Sequence, residues 1–230
     1  MQLHPIATFR SPLKDKFGIP KQSGLVAALP GSIVFEKPYN NPDYIRGLES
    51  FDYVWLLWGF SANAHAAVSP VVRPPRLGGN VKMGVFATRS PYRPNPIGLS
   101  SVRLKSIDVT ADGAPVLYVE GADLMDGTPI YDIKPYVEYA DSHTDVRSGF
   151  VDEHPLPQLS VVFPETWQRQ FTSDETANII QLLSLDPRPH YQHDPERIYG
   201  MTYKDYDIRF RVDEQEGVVK VLEIVKSFKD

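Results

Sequence analysis

Short apolar runs interrupted by glycine and proline dominate the chain, and they predict strands more readily than helices. Residues 3–9, 32–35, 53–60, 82–88, 100–109 and 115–121 each form a run of strand length. Residues 130–139 add another, with Tyr131 and Ile133 on one face and Asp132, Lys134 and Tyr136 on the other. The stretch Tyr53-Val54-Trp55-Leu56-Leu57-Trp58 is apolar on both faces, which predicts a central strand. Twenty-one prolines and 15 glycines punctuate these runs and favour an all-β sandwich or barrel. The texture changes after about residue 150. Residues 152–157 read as a linker, and Thr172-Ser173-Asp174-Glu175 reads as a capping box. Ile179, Ile180, Leu182 and Leu183 then give an amphipathic helix that stops before Asp186-Pro187. Ile208, Phe210 and Val212 alternate with Arg209, Arg211 and Asp213, and residues 218–225 supply a second strand. The expectation is a mainly β unit over 1–152 and a small C-terminal α+β unit over 153–230.

Composition narrows the class without naming an activity. A chain of 230 residues with 42% hydrophobic and 23% charged positions can build a proper globular core. It contains no cysteine, so disulfides, thiol nucleophiles and thiolate metal sites are excluded. The first residues lack the order of a secretory signal, and the longest apolar run, residues 53–60, is too short to span a bilayer. A soluble cytoplasmic protein without a membrane partner is the expectation.

Charge changes the picture locally. The net charge of −5 argues against a nucleic-acid binder, yet residues 53–107 contain no Asp or Glu. That stretch carries Arg73, Arg76, Lys82, Arg89, Arg93, Arg103 and Lys105, so −5 is the balance of +7 there and −12 elsewhere. Screening confines each field to about 10 Å, so such a surface can hold phosphates on an acidic protein. The plainer alternative scatters these side chains around the fold as surface charges.

Several familiar motifs are missing: there is no G-x-G-x-x-G after a strand, no P-loop and no H-E-x-x-H helix. His190 and His193 beside Asp194 lack a convincing third ligand, and no metal is expected. His65 reads as a loop or surface histidine. The dense segment is Gly84-Val85-Phe86-Ala87-Thr88-Arg89-Ser90-Pro91-Tyr92-Arg93-Pro94-Asn95-Pro96-Ile97-Gly98-Leu99-Ser100. Its prolines stiffen a loop that offers two arginines to a carboxylate or phosphate. A rigid structural turn with surface arginines is the alternative.

This segment and the preceding Arg73-Pro74-Pro75-Arg76-Leu77-Gly78-Gly79 resemble the signature of the TsaA/TrmO-like family. So do Asp126-Gly127-Thr128-Pro129-Ile130-Tyr131-Asp132-Ile133-Lys134-Pro135-Tyr136 and Asp186-Pro187-Arg188-Pro189. The resemblance implies a small antiparallel β-barrel methyltransferase, not a Rossmann sheet. It implies S-adenosylmethionine as cofactor, a homodimer with cofactor sites near the subunit interface, and the anticodon stem-loop of tRNA as partner. The implied reaction is N6-methylation of threonylcarbamoyladenosine just 3′ of the anticodon. Carried over residue by residue, it places the cofactor at Pro20, Lys21 and Gln22, at Arg89 and Leu99, and at Leu124, Met125, Asp126 and Gly127. It also implies Ser61 and Ala62, where bacterial relatives often carry His-Gln, so this sequence departs from the pattern there.

Other roles follow as expectations. Asp126 or Asp132 can take a proton, while Lys134 and Tyr136 can steady developing charge. Asp132 and Lys134 can equally be an ion pair along one strand face. Arg73, Arg76, Lys82, Arg93 and Arg103 suit anticodon-stem phosphates, and Tyr92 and Tyr136 suit stacking on loop bases. Two other functions fit the same residues: a methyltransferase of this fold on another substrate, or a non-enzymatic RNA- or nucleotide-binding barrel.

Overall fold

The computed structural model describes residues 2–61, 67–156, 158–188, 194 and 196–227. In chain order its first strands are β1 (Ala7–Arg10), β2 (Pro30–Phe35), β3 (Tyr53–Gly59), β4 (Val71–Val72), β5 (Met83–Gly84), β6 (Ile97–Val109), β7 (Pro115–Glu120) and β8 (Pro129–Pro135). Six of them close into a barrel in the order β1-β2-β7-β6-β3-β8, every pairing antiparallel, while β4 and β5 form a separate ribbon. Closure leaves none of the six with an open edge along its paired length. Alternation then decides what fills the barrel: Phe9, Ile33, Val54, Leu56, Val102, Leu117 and Ile130 point inward and are buried.

The strand expected to be central is β3, held between β6 and β8. Its second apolar face is outward. Tyr53, Trp55 and Leu57 lie opposite Arg103, Ser101 and Leu99 of β6, and Trp55 and Leu57 lie opposite Lys134 and Asp132 of β8. Paired residues share a face, so these side chains form one outer wall. On the inward face Gly98 lies opposite Trp58 and is required there, because a Cβ would overlap the Trp58 ring.

After β8 the described residues form three one-turn helices, α1 (Glu138–Asp141), α2 (Phe150–Glu153) and α3 (Glu165–Gln168), before the longer α4 (Ser173–Ser184) of the C-terminal unit. The unit boundary expected at 152/153 falls inside α2. Its four strands, β9 (Ser160–Val162), β10 (Tyr199–Tyr203), β11 (Tyr206–Asp213) and β12 (Val218–Lys226), stand in the order β10-β11-β12-β9. The capping box forms: Thr172 Oγ1 accepts from the Glu175 amide at 3.3 Å, and Glu175 Oε2 accepts from the Thr172 amide at 2.9 Å. Ile179, Leu182 and Leu183 of α4 join Met201, Tyr203, Ile208 and Phe210 in a second core.

Leu13, Val26 and Leu29, from the connection between β1 and β2, are buried in that same second core. The Asn178 side chain donates to the Ala28 carbonyl at 3.2 Å, and the Lys204 amide donates to Pro12 at 2.6 Å. The β1–β2 connection is therefore shared, hinged on the barrel at both ends and packed on the C-terminal unit in its middle.

Residues 82–88 do not make the continuous strand the apolar run predicts. Only Met83–Gly84 pairs, and Val85–Ala87 turns as a 3-10 helix. Thr88 is the local cause: its amide and hydroxyl both donate to the Val85 carbonyl, at 3.1 and 2.8 Å, replacing a ladder partner. The run 130–139 also stops early, at Pro135, and passes into α1. Among the described residues no helix is long and apolar enough to cross a membrane. Replacing Gly98 by Ala should destabilise the chain by about 1–3 kcal/mol through overpacking against Trp58, measured by denaturant unfolding. An unchanged midpoint would mean the indole has room to move.

Candidate functional site

The proline-rich loop is tied down by its own arginine. Arg93 folds back and donates to the carbonyls of Ser90 at 2.8 Å, Val85 at 3.2 Å and Thr88. This consumes Arg93 and leaves Arg89, at the tip, exposed. Arg89 Nη1 donates to Gln22 Oε1, which joins the loop to the β1–β2 connection. That connection is fixed in turn to the end of β7: the Gly24 amide donates to Gly121 at 2.8 Å, and the Gly121 amide donates to Leu29 at 2.9 Å. Gly121 adopts φ +81°, a left-handed conformation that favours glycine.

Beneath this junction runs a buried polar chain. Trp58 Nε1 donates to Ser100 Oγ at 2.9 Å, and the Ser100 hydroxyl donates to Asp123 Oδ1 at 2.5 Å. Ser100 is 1% exposed. Burial pushes the Asp123 carboxyl above the usual carboxylate range, opposed by the Ser100 bond, its own amide, the positive charge of Arg89 and the Ser23 amide. Among the described residues Asp123 takes part in no ion pair, so Arg89 attracts it without meeting it. Three chain segments, around residues 22–24, 89–100 and 121–124, thus converge on Asp123 and Arg89.

The structure distributes the sequence-predicted residues unevenly around this point. Gln22 and Arg89 are joined, as above, with Pro20 buried just before them. Burial holds the Lys21 ammonium below the usual lysine range; Asp186 opposes this and Arg76 adds to it. The loops bearing Arg76 and Asp186 therefore approach the same corner. Leu124 is 1% exposed and belongs to the barrel core. Met125 and Gly127 serve the backbone: Thr128 Oγ1 donates to Met125 at 2.7 Å and the Gly127 amide donates to Phe9 at 2.9 Å. Asp126 Oδ1 accepts from the Ser11 amide at 3.0 Å, and Arg10 stands 3.9 Å from its other oxygen. Ser61 is exposed at the end of β3, while Ala62 and His65 lie outside the described residues, as do Pro189, His190 and His193.

Leu99 is 54% exposed on the outer wall, so alternation turns it away from Ser100 and Asp123. The same wall holds Asp132, Lys134 and Tyr136. Asp132 lies 2.9 Å from Lys134 Nζ and accepts from the Ile133 amide at 3.0 Å. Tyr136 packs against Trp55 and Tyr53 at ring separations of 5.9 and 6.2 Å. Arg103 sits 3.8 Å from Glu120, which also pairs with Lys105. Arg73 and Lys82 are exposed, Arg76 is partly buried, and Tyr92 is 43% exposed.

A concavity of about 600 Å³ lies elsewhere, where β8 runs on past the short β1 and the 36–51 loop covers the gap. Tyr39, Tyr44, Phe51 and Tyr131 line it, and of the predicted site residues only Asp132 does. Among the described residues no group of three or more His, Asp or Glu is placed to hold a metal. Sequence reasoning missed Asp123, Ser100 and Trp58. Asp123 directly precedes a predicted cofactor segment, but what marks it is burial, which spacing does not report.

Of the converging segments, residues 89–100 lie within the sequence signature, and comparison with known proteins bears on the family. The tRNA-methyltransferase O N-terminal domain model matches residues 8–142, and the TrmO C-terminal domain model matches residues 156–227. The chain belongs to the tRNA-methyltransferase O family. It is 40% identical to the tRNA (adenine(37)-N6)-methyltransferase of Escherichia coli K12, over 96% of this chain and 97% of that one. A Pseudomonas aeruginosa protein named putative S-adenosylmethionine-dependent methyltransferase RcsF is also 40% identical, covering 96% of each chain. The crystal structure of TrmO from P. aeruginosa superposes with a TM-score of 0.77 at 32% identity, covering 98% of both chains. The mainly β barrel expected for this family is the observed one.

Asp126 generates a prediction here. Replacing it by Ala strands the Ser11 amide and should cost about 1–3 kcal/mol of stability. Thermal unfolding checks this, and an unchanged midpoint would free Asp126 from its structural duty.

Proposed function

We infer that this chain methylates N6 of adenosine 37 in tRNA, with S-adenosylmethionine as methyl donor and the threonylcarbamoylated nucleoside as acceptor. The observation that carries the reading is the match of both family domain models, together with a near-full-length relative bearing that name.

The residues present fit the cofactor. An exposed guanidinium at Arg89, tethered by Gln22, suits a carboxylate bound in a bidentate way. A partly buried carboxylate at Asp123 faces the same junction. When bound, S-adenosylmethionine would supply an electrophilic methyl group whose leaving group is a neutral thioether. The protein must then position the acceptor in line and accept its proton. Adenine N6 is a poor nucleophile because its lone pair is delocalised, whereas carbamoylation acidifies the N–H. Of the candidate bases, Asp132 shares the outer wall with Leu99, two strands or about 10 Å away, with Lys134 Nζ 2.9 Å from it.

Leu99 and Asp123 face opposite sides of the barrel wall, so a cofactor touching both kinds of residue needs two copies. Phe86, Tyr92, Leu99 and Val81 are exposed apolar side chains, each suited to burial against a second copy. This supports a homodimer with cofactor near its interface. Exposed Arg73 and Lys82, with Arg76, suit anticodon-stem phosphates, while Arg93 acts inside its own loop. The cytoplasm, where tRNA is modified, is the matching compartment.

Labelled S-adenosylmethionine, incubated with tRNA from cells with and without the threonylcarbamoyl modification, tests the reading. Label should enter only the modified pool. Entry into both pools discards the acceptor, and entry into neither discards the activity. Asp132→Asn should lower kcat about 100-fold with cofactor Kd unchanged, the range of a general base. Equal kcat would return Asp132 to a plain ion pair with Lys134.

A further inference from the structure

The concavity between β8 and the 36–51 loop shares no residue with the junction of Arg89 and Gln22, yet its lining is that of a ligand site. At about 600 Å³ it falls within the range of small-molecule pockets. Tyr39, Phe51 and Tyr131 line it half-buried, and Tyr44 lines it while 66% exposed. Tyr39 and Tyr44 meet edge to face at a ring separation of 6.1 Å, which holds two planar faces at an angle. Among the lining residues Arg46 is the only cation and Asp132 the only carboxylate. Arg46 is paired with Asp43, both of them solvent-exposed, and Asp132 is paired with Lys134. Exposed pairs of this kind contribute little, so a ligand charge can replace Asp43 on Arg46 at small cost. Asp132 belongs both to this lining and to the outer wall that holds Leu99, so the concavity adjoins that wall.

We propose that this concavity receives the acceptor nucleoside flipped out of the anticodon loop, with its base stacked among the tyrosines and its threonyl carboxylate bound by Arg46. An enzyme that works on a base draws it out of its stack into a pocket, and RNA readers hold such bases on aromatic faces. The tail at N6 of the acceptor ends in a carboxylate, and Arg46 is the one cation in the lining that can meet it. Unmodified adenosine offers that guanidinium nothing, so Arg46 is the residue that selects the modified base. The apolar side chains suited to a second copy, Phe86, Tyr92, Leu99 and Val81, all lie outside the concavity. This placement rests on the acceptor proposed above, and a comparison of two stem-loops separates the two.

The experiment is fluorescence-anisotropy binding of two labelled anticodon stem-loops, identical except for the threonylcarbamoyl group on adenosine 37, to the full chain and its variants. The unaltered chain should prefer the modified stem-loop. Arg46→Ala should weaken binding of that stem-loop about tenfold, the range of one charged hydrogen bond, and leave the unmodified one unchanged. Arg46→Lys should restore part of the preference. Tyr44→Ala should weaken both stem-loops about tenfold through lost stacking, while Tyr44→Phe should bind both as the unaltered chain does. Equal loss for both stem-loops in Arg46→Ala would make Arg46 a phosphate contact and overturn the carboxylate assignment. A preference kept in full by Arg46→Ala, or unchanged binding by Tyr44→Ala, would overturn the concavity as the seat of the nucleoside. If Tyr44→Ala bound both stem-loops as before but dissociated a dimer in sedimentation, the concavity would belong to a second copy and the proposal would fall. No preference in the unaltered chain would overturn the acceptor reading itself, before any variant is made.

Discussion

A carboxylate withdrawn from water has to be met by donors, and in this molecule Asp123 is met by groups from three distant parts of the chain. Ser100 comes from β6, the Ser23 amide from the β1–β2 connection, and the positive field from Arg89 at the tip of the proline loop. Satisfying one oxygen pair therefore fixes the relative placement of every segment at this mouth of the barrel. Trp58 extends the constraint into β3, and Gly98 is the residue that lets the indole lie flat against the wall. The barrel supplies rigidity, and the polar chain converts that rigidity into a defined electrostatic site.

The β1–β2 connection links this site to the C-terminal unit. Gln22 and Ser23 face Arg89 and Asp123, while Leu13, Val26 and Leu29 are buried against α4 and its sheet. Lys21 lies between them and feels both Arg76, in the connection from β4 to β5, and Asp186 at the end of α4. Asp186 is itself gripped by Arg188, at 2.8 and 2.9 Å. A change in the C-terminal unit therefore has a short covalent path to the residues proposed to hold the cofactor.

Much of the architecture was legible because it follows from periodicity. The apolar run at residues 53–60 became the wall strand β3, and Thr172 with Glu175 formed the capping box their spacing announced. What escaped the sequence depended on which strands are neighbours. Residues 53–107 contain no carboxylate, yet Arg103 and Lys105 find Glu120 on β7, which pairs with β6. Arg93 looked like a phosphate ligand and instead satisfies carbonyls of its own loop. Leu99 and Ser100 are adjacent in sequence but face opposite sides of a strand, so a contiguous motif is split between two surfaces. Asp123 carried no spacing signature, because its character comes from burial.

The central claim is that the proline loop and the β1–β2 connection build one cofactor site where Arg89 meets Gln22. A crystal structure of the chain with S-adenosylmethionine tests it most directly. The account predicts the methionyl carboxylate seated on the Arg89 guanidinium. Density for the cofactor in the concavity lined by Tyr39, Tyr44 and Tyr131, with none at Arg89, would contradict it.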